Sequence, residues 1–338
     1  MEEMKTLFNA TNERNHENNT LTSSTSLTSY DLLSLGILVL ETIVGTFMNG
    51  LMVIVNLISL VTLRKLGSCD SILACLGLSR FTFTWLVLVV YLINDLSPKS
   101  ADTGTTGSMQ YVWLFFNDLS LWLASWLSTF YCVRIVNIDR YIFTAFKTHF
   151  DRLVPFLILA SIAISALCSN STASDGINQT FNMSKFEHNQ NSTPFAAMGN
   201  NFATFATLSA VGSIPPFFLF CVSAGLVVDS LLRHMKKMKG QERTGFREPS
   251  LDAHYQAVKM MVAFFMFFLL YMMAFNLYGS GMVKSDVLSC FAAFFIGAYP
   301  SLHSVLLVFG NRKLKHTFLW ILQKAICSQK QLDQTMSD

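Results

Sequence analysis

Leu153-Val-Pro-Phe-Leu-Ile-Leu-Ala-Ser-Ile-Ala-Ile-Ser-Ala-Leu-Cys168 is a run of sixteen residues without a charge. The number of times this chain crosses a bilayer turns on it. A helix needs about 20 mainly apolar residues to cross a hydrocarbon core of roughly 30 Å, so the run is short. Six other apolar stretches, at about 32–61, 72–93, 109–138, 202–232, 257–277 and 287–309, raise no such question. If 153–168 did not cross, the segments flanking it would share one side of the membrane. Their chemistry differs: Arg140, Lys147 and Arg152 precede it, whereas Lys185 and four Asn-x-Ser/Thr triplets follow it. The run is therefore read as a span. The expected fold class is an all-α seven-transmembrane helix bundle, because barrel strands alternate with period two over about ten residues and these runs are continuously apolar.

Composition supports lipid as part of the solvent. Of 338 residues, 52% are hydrophobic and 13% charged, where an ordinary soluble chain carries about 25% charged residues. A formal net charge of +3 is too mild for a nucleic-acid partner, and none is expected. The seven cysteines form no CxxC pair, so neither a zinc site nor a disulfide scaffold is suggested. His303 has Ser301 and Ser304 nearby, but no Asp or Glu shares its helix to orient a base. With no phosphate loop or zinc motif either, the chain does not read as an enzyme, and no metal or cofactor is expected.

Orientation follows from Lys and Arg outside the spans. With the N-terminus outside, the outer segments hold five, the inner loops, adjoining helix ends and tail hold eighteen, and Arg80 alone lies deep in a span. The acceptor triplets agree, since Asn9, Asn18, Asn170, Asn178, Asn182 and Asn191 all fall in segments placed outside. The organisation read from this is an extracellular glycosylated tail over 1–31, a seven-span bundle over 32–320 and a cytoplasmic tail over 321–338. The bundle includes a long outer loop (169–200) and a basic inner loop (233–256). No internal repeat is visible, which weighs against transporters built from duplicated halves.

Ionisable residues inside a span are functional hypotheses by default. Glu41 and Arg80 each lie nine residues into their helices, from opposite sides, so each has travelled about 13 Å into the core. The matching depths suggest that they face each other between the first two helices, with Asn49 below; the alternative is that one snorkels or faces a wet cavity. Asp118 is the third such residue. Pro215-Pro216 should bend the fifth helix, which leaves lipid through Arg233, His234, Lys236 and Lys237, either a topology signal or a docking surface for a partner protein.

Five segments in order resemble the vertebrate bitter taste receptors, the type 2 taste receptor family of seven-helix G-protein-coupled receptors. They are Glu41-Thr-Ile-Val-Gly45 with Asn49-Gly50 and Asn56; Ile72 to Arg80 with Trp85; and Leu121-Trp-Leu-Ala-Ser-Trp-Leu-Ser-Thr-Phe-Tyr131 with Arg134-Ile135 and Asn137. Then come Ser230-Leu231 to His234 and Met238 with His254 and Ala257-Val-Lys259, and Tyr299-Pro300-Ser301-Leu-His303-Ser304 with Gly310-Asn311-Arg-Lys313-Leu-Lys315 and Phe318. The match covers about residues 32–320. The outer tail and the loop at 169–199 are longer and richer in acceptor triplets than is usual there. Ile138-Asp139-Arg140-Tyr141 is similar instead to rhodopsin-like receptors, the alternative reading. Asp139, however, lies thirty residues after Met109, about 45 Å along a helix and past a core of about 30 Å. A cysteine opening the third helix, an Asn-Pro-x-x-Tyr and a proline in the sixth helix are missing as well. A multi-span transporter or channel, the alternative from another class, should show a polar path through several spans.

The resemblance implies a plasma-membrane receptor that binds small bitter agonists in an outward-facing pocket and activates a heterotrimeric G protein of the gustducin or inhibitory type. Membrane lipid surrounds it, and a receptor oligomer is left open. Trp113 and Asn117 match family positions linked to agonist contact, and one turn apart they share a helix face. Asp118, a further ligand-binding candidate or else the partner of a neighbouring helix, is rotated about 100° from Asn117, so both cannot point squarely into one cavity. Tyr271, Phe275 and Ala293 are further pocket candidates, and several methionines of the sixth helix either line the pocket or face lipid. For coupling the candidates are Tyr131, Arg134, His234 and Lys259; for a structural polar cluster, Glu41, Asn49, Arg80, Ser301 and His303. Without an outer partner for Cys168, no disulfide is expected.

Overall fold

A computed structural model describes residues 29–64, 66–96, 103–136, 149–170, 194–241, 250–279 and 286–337. The acceptor residues Asn9, Asn18, Asn178, Asn182 and Asn191 and the Asp139-Arg140-Tyr141 triplet lie outside them. The described residues form eight helices and no strand: α1 Ser29–Leu63, α2 Ser68–Leu96, α3 Thr103–Ile135, α4 His149–Asn170, α5 Pro194–Gln241, α6 Ser250–Gly279, α7 Asp286–Gly310 and α8 Arg312–Ser337. Each of the seven apolar stretches read from the sequence falls on its own helix among α1–α7, the stretch at 109–138 as far as Ile135. The helices extend beyond the apolar runs, so α5 and α6 take up much of 233–256, and 321–337 continues α8.

Local chemistry sets several boundaries. Arg64, at φ 51°, enters the left-handed region directly after α1 and turns the chain back. The carbonyl of Gly67 accepts from the Ser71 amide at 2.9 Å and its hydroxyl at 3.1 Å, which opens α2. Asn311 separates α7 from α8, its Oδ1 capping the amides of Lys313 (3.0 Å) and Leu314 (3.3 Å).

The helices α1, α2, α3, α5, α6 and α7 pack pairwise in a closed ring, α1 meeting both α2 and α7. Outside the ring, α4 is held on α3 by the Trp126 indole donating to Ser161 (3.0 Å) and by Phe150 and Val154 in the shared core. We call the end carrying Leu63, Ser68, Ile135, His149 and Gly310 the base, and the other end the top. An aliphatic core around Met52, Leu73, Leu123 and Val308 lies toward the base; an aromatic core around Phe83, Phe268, Tyr271 and Phe275 joins α2, α3, α5, α6 and α7.

Among the described residues five helices are long and apolar enough to cross a membrane: α1, α2, α4, α5 and α7. The short run at 153–168 is among them because α4 continues past it at both ends, to 22 residues. In α6 the described apolar stretch is Val262–Leu277. Missing from the five is α3, for a physical reason: α2 and α5 flank it and α4 covers it, and Asn117, Asp118, Ser120, Ser125, Ser128 and Thr129 on it are buried against other helices rather than lipid. The outer surface carries exposed Leu40, Ile43, Phe156, Leu167 and Phe218. Apolar exposure on that scale marks a surface whose solvent is not water.

Candidate functional site

The site begins near the top of α3. Trp113 packs against Phe83 of α2, with ring centroids 6.3 Å apart, and against Phe275 of α6 at 4.9 Å. One turn further, buried Asn117 accepts a hydrogen bond from the Tyr271 hydroxyl on α6 and donates to Asp118 Oδ1 at 3.2 Å. The 100° step along the helix sends Asp118 elsewhere, against Gly212 of α5; a Cβ on that glycine would stand 2.6 Å from Asp118 Oδ2. The structure thus brings Trp113, Asn117, Tyr271 and Phe275 together and turns Asp118 toward α5. Half-buried Ala293 sits on α7. Of the α6 methionines, Met272 packs on the aromatic core whereas Met266 and Met273 are exposed; the side chains of Met260 and Met261 lie outside the described set.

From Tyr271 a column of rings descends toward the base. Tyr271 stacks on Tyr299 of α7 at 4.5 Å, and Phe268 lies 5.2 Å from Tyr299. Fully buried Arg80 reaches α7 here: its Nη2 donates to His303 Nδ1 at 2.6 Å and to the Tyr299 hydroxyl at 3.5 Å, with the guanidinium carbon 5.4 Å from the Tyr299 ring. His303 in turn lies 3.8 Å from the Phe264 ring of α6.

The pairing of Glu41 with Arg80 suggested by their depths is not made. Neither Glu41 carboxylate oxygen has a hydrogen-bond partner, and Arg80 spends Nη2 on α7. Instead Glu41 lies against Gly297 of α7, whose missing Cβ leaves it room. The other polar contacts also run from α1 to α7: Ser301 donates to the Glu41 carbonyl (3.0 Å), and Ser304 donates to Asn49 Oδ1 (2.6 Å). Glu41, Asn49, Arg80, Ser301 and His303 all lie at the α1–α2–α7 junction, but α7 is their common partner. Small residues make this possible. A Cβ on Gly45 would stand 2.9 Å from Ser301 Oγ, so the backbones approach closely enough for short polar side chains to bridge.

At the base, a cavity of about 320 Å³ opens between α3, α5, α6 and α7, lined by Leu127, Ser128, Tyr131, Ile135, Phe220, Ala224, Phe264 and His303 among others. Among the coupling candidates Tyr131 alone lines it. Arg134 turns away to Asp151 at the start of α4 (2.9 Å) and lies over Phe130, 5.3 Å from the ring centroid; His234 and Lys259 are exposed on α5 and α6. Three arrangements were not read from the sequence. Tyr299 helps hold Arg80, and its placement one turn before His303 was the available signal. Lys313 Nζ bridges Asn56 Oδ1 (3.0 Å) and Asp70 Oδ2 (3.1 Å), tying α8 to α1 and α2. Ser125 donates to the Pro216 carbonyl at 2.6 Å, and Ser223 to Ser128 at 2.8 Å, forming a polar seam between α3 and α5. Among the described residues no group of His, Cys, Asp and Glu could hold a metal ion, and no disulfide joins any of the seven cysteines.

Comparison with known proteins bears on what such a bundle does. The family model for taste receptor proteins (TAS2R) matches residues 27–326. Taste receptor type 2 member 119 of Mus musculus is 33% identical over 288 residues, 84% of this chain and 83% of its own. Taste receptor type 2 member 20 of Gorilla gorilla gorilla is 30% identical over 304 residues, 88% and 96% of the two chains, and member 9 of Macaca mulatta 31% over 287 residues, 84% and 91%. The span matched by the family model contains every segment by which the sequence resembled that group, from Glu41 to Phe318. With its helical bundle, lipid-suited exterior and family-wide match, the chain is a membrane receptor rather than an enzyme, and it belongs to the taste receptor protein (TAS2R) family.

Proposed function

We propose that the chain is a seven-span bitter receptor of the plasma membrane, with its top and N-terminus outside and its base and C-terminus inside. It takes small bitter compounds against Trp113, Asn117, Tyr271, Phe275 and Ala293, and activates a heterotrimeric G protein of the gustducin or inhibitory type at the base. Aromatic walls with one placed amide suit compact, largely apolar agonists. Asp118 sets the α3–α5 spacing beside that pocket. The orientation rests on the lysines and arginines clustered at the base and on the acceptor triplets of the opposite segments.

One observation carries the reading: unbroken contact from Asn117 to the base cavity. Tyr271 is bonded to Asn117 and stacked on Tyr299; Tyr299 and His303 share Arg80; His303 and Phe264 line the cavity. A ligand that competes for Asn117 frees Tyr271 and biases the position of α6 against α7, which is a population shift between two packings. Signalling then depends on Tyr131 within the cleft and on Arg134, His234 and Lys259 at the same end of the bundle.

The test is calcium release in cells co-expressing a promiscuous G protein, challenged with a panel of bitter compounds. At least one compound should elicit a response that Asn117→Ala reduces at equal surface display. Tyr271→Phe, which loses only the hydrogen bond to Asn117, should move the EC50 by about fivefold, the equivalent of one ordinary hydrogen bond. Silence of the displayed wild-type receptor across the panel, or unchanged responses in both variants, overturns the reading.

A further inference from the structure

Resting on the receptor reading above, we infer that the agonist pocket selects hydrogen-bond donors, protonated amines above all, and that Asp118 imposes this choice without touching the ligand.

The side chain of Asn117 ends in one acceptor and one donor group, and an amide can turn either of them toward a neighbour. In this bundle the direction is decided by Asp118. Its Oδ1 lies 3.2 Å from Asn117 Nδ2, and both residues are buried. An ionised carboxylate accepts hydrogen bonds and donates none, so the amide nitrogen is the atom that must face it. Asn117 Oδ1 is thereby sent the other way, to α6, where the Tyr271 hydroxyl donates to it. Gly212 of α5 keeps Asp118 in place for this task. A Cβ there would stand 2.6 Å from Asp118 Oδ2, so that oxygen fills the notch and Oδ1 is left to Asn117.

The polar atom that Asn117 presents to α6 is therefore an acceptor already holding a donor. An agonist that competes for it has to replace what Tyr271 supplies. An N–H or O–H group makes that exchange with no net loss of hydrogen bonds. A ketone or ether oxygen brought to the same place meets another acceptor and leaves Asn117 Oδ1 unbonded once Tyr271 is displaced, a penalty that buried polar sites exact from ligands lacking the matching group.

Charge places amines above alcohols. Among the described residues the ion pairs are Arg134 with Asp151, Arg233 with Asp229 and Lys313 with Asp70, all toward the base, and Asp118 has none. A cation on the far side of the Asn117 amide stands about 7 Å from that carboxylate, where attraction at an effective dielectric constant of about 20 is equivalent to about fiftyfold in affinity. The ring faces act in the same direction. Phe275 lies 4.9 Å from Trp113 and 5.8 Å from Tyr271, so an ammonium group at Asn117 has π faces beside it as well as the carbonyl oxygen.

The experiment reads EC50 by calcium release, at equal surface display of the full-length receptor, for compounds that share a skeleton and differ at one position. These are 4-phenylpiperidine (a cationic donor), 4-phenylcyclohexanol (a neutral donor) and 4-phenylcyclohexanone (an acceptor only), with the matching naphthyl trio. In the wild-type receptor the amine should be at least about tenfold more potent than the ketone, with the alcohol between them. Asp118→Asn keeps the shape of the side chain in the Gly212 notch but adds a donor, which frees Asn117 to turn its nitrogen toward the ligand. The amine-to-ketone ratio should then fall below about threefold, in part because the ketone gains, whereas a merely structural Asp118 would weaken all three compounds alike. Tyr271→Phe removes the competing donor and should widen the ratio by about fivefold, which keeps the test decisive if Asp118→Asn is not displayed. A ketone or alcohol as potent as the amine in the wild type overturns the inference. So does a ratio that neither displayed variant moves, or silence toward both trios in a receptor that answers other bitter compounds. Silence toward every bitter compound refutes instead the receptor reading on which the pocket depends.

Discussion

Glu41 and Asp118 show how single residues set this interior. Each is a buried carboxylate lodged against a glycine of a neighbouring helix, Gly297 on α7 for Glu41 and Gly212 on α5 for Asp118. The glycine is needed for space, since neither position has a backbone conformation that demands it. Gly297→Ala should therefore push the Glu41 side chain off α7 at a cost of about 1–3 kcal/mol, the usual range for overpacking. Surface display should fall, and Glu41→Ala in the same chain should restore much of it by emptying the notch. Equal display of Gly297→Ala and wild type would show that α1 and α7 are not packed this way. The Arg80 partner illustrates the limit of sequence reading at this scale. A rise of 1.5 Å per residue gives each residue's height along its helix but not which neighbour it faces. Height put Arg80 level with Glu41, whereas its direction within the bundle put it on His303 and Tyr299.

At the scale of elements, the seven apolar runs were legible because a span must be apolar wherever it meets lipid. The short run at 153–168 became a full helix because its polar ends, from His149 and out to Asn170, continue the helix beyond the apolar run. The same rule under-describes α3: a central helix is covered by other helices, so it can carry a ladder of buried polar groups and still belong to the bundle. Its seam with α5 uses this freedom. Pro215 and Pro216 donate no amide hydrogen bond, and Ser125 supplies a donor to the Pro216 carbonyl from across the interface. The segment after α7, read only as a tail from 321 onward, is the clearest gain from structure, because its helix begins at Arg312 and is held by Lys313. Lys313→Ala removes the bridge to Asn56 and Asp70. Amide exchange through the first turns of α8 should then quicken by about tenfold or more, the equivalent of one charge-assisted hydrogen bond, while exchange in α3 is unchanged. Equal rates in both proteins would mean that apolar packing at Leu314 and Phe318 suffices.

For the whole molecule, the orientation is the claim on which the ligand and G-protein readings both depend. An N-terminal epitope should stain on intact cells and a C-terminal one only after permeabilisation, and glycosidase treatment should increase electrophoretic mobility if any of the triplets at Asn9, Asn18, Asn170, Asn178, Asn182 or Asn191 carries a glycan. The reverse staining pattern would put the base outside and remove both readings at once. The sequence by itself determined that the chain lives in lipid, on which stretches its seven apolar helices are built and which family it belongs to, because these depend on composition, apolar run length and short motifs that are local in the chain. Only the tertiary structure decided that Arg80 joins α7, that Glu41 and Asp118 rest in glycine notches, that Asn117 meets Tyr271, and that Tyr131 alone of the coupling candidates lines the base cavity. Those facts depend on the rotation and order of helices around the ring, and long-range packing between residues as far apart as 117 and 271 leaves no periodic trace in either segment.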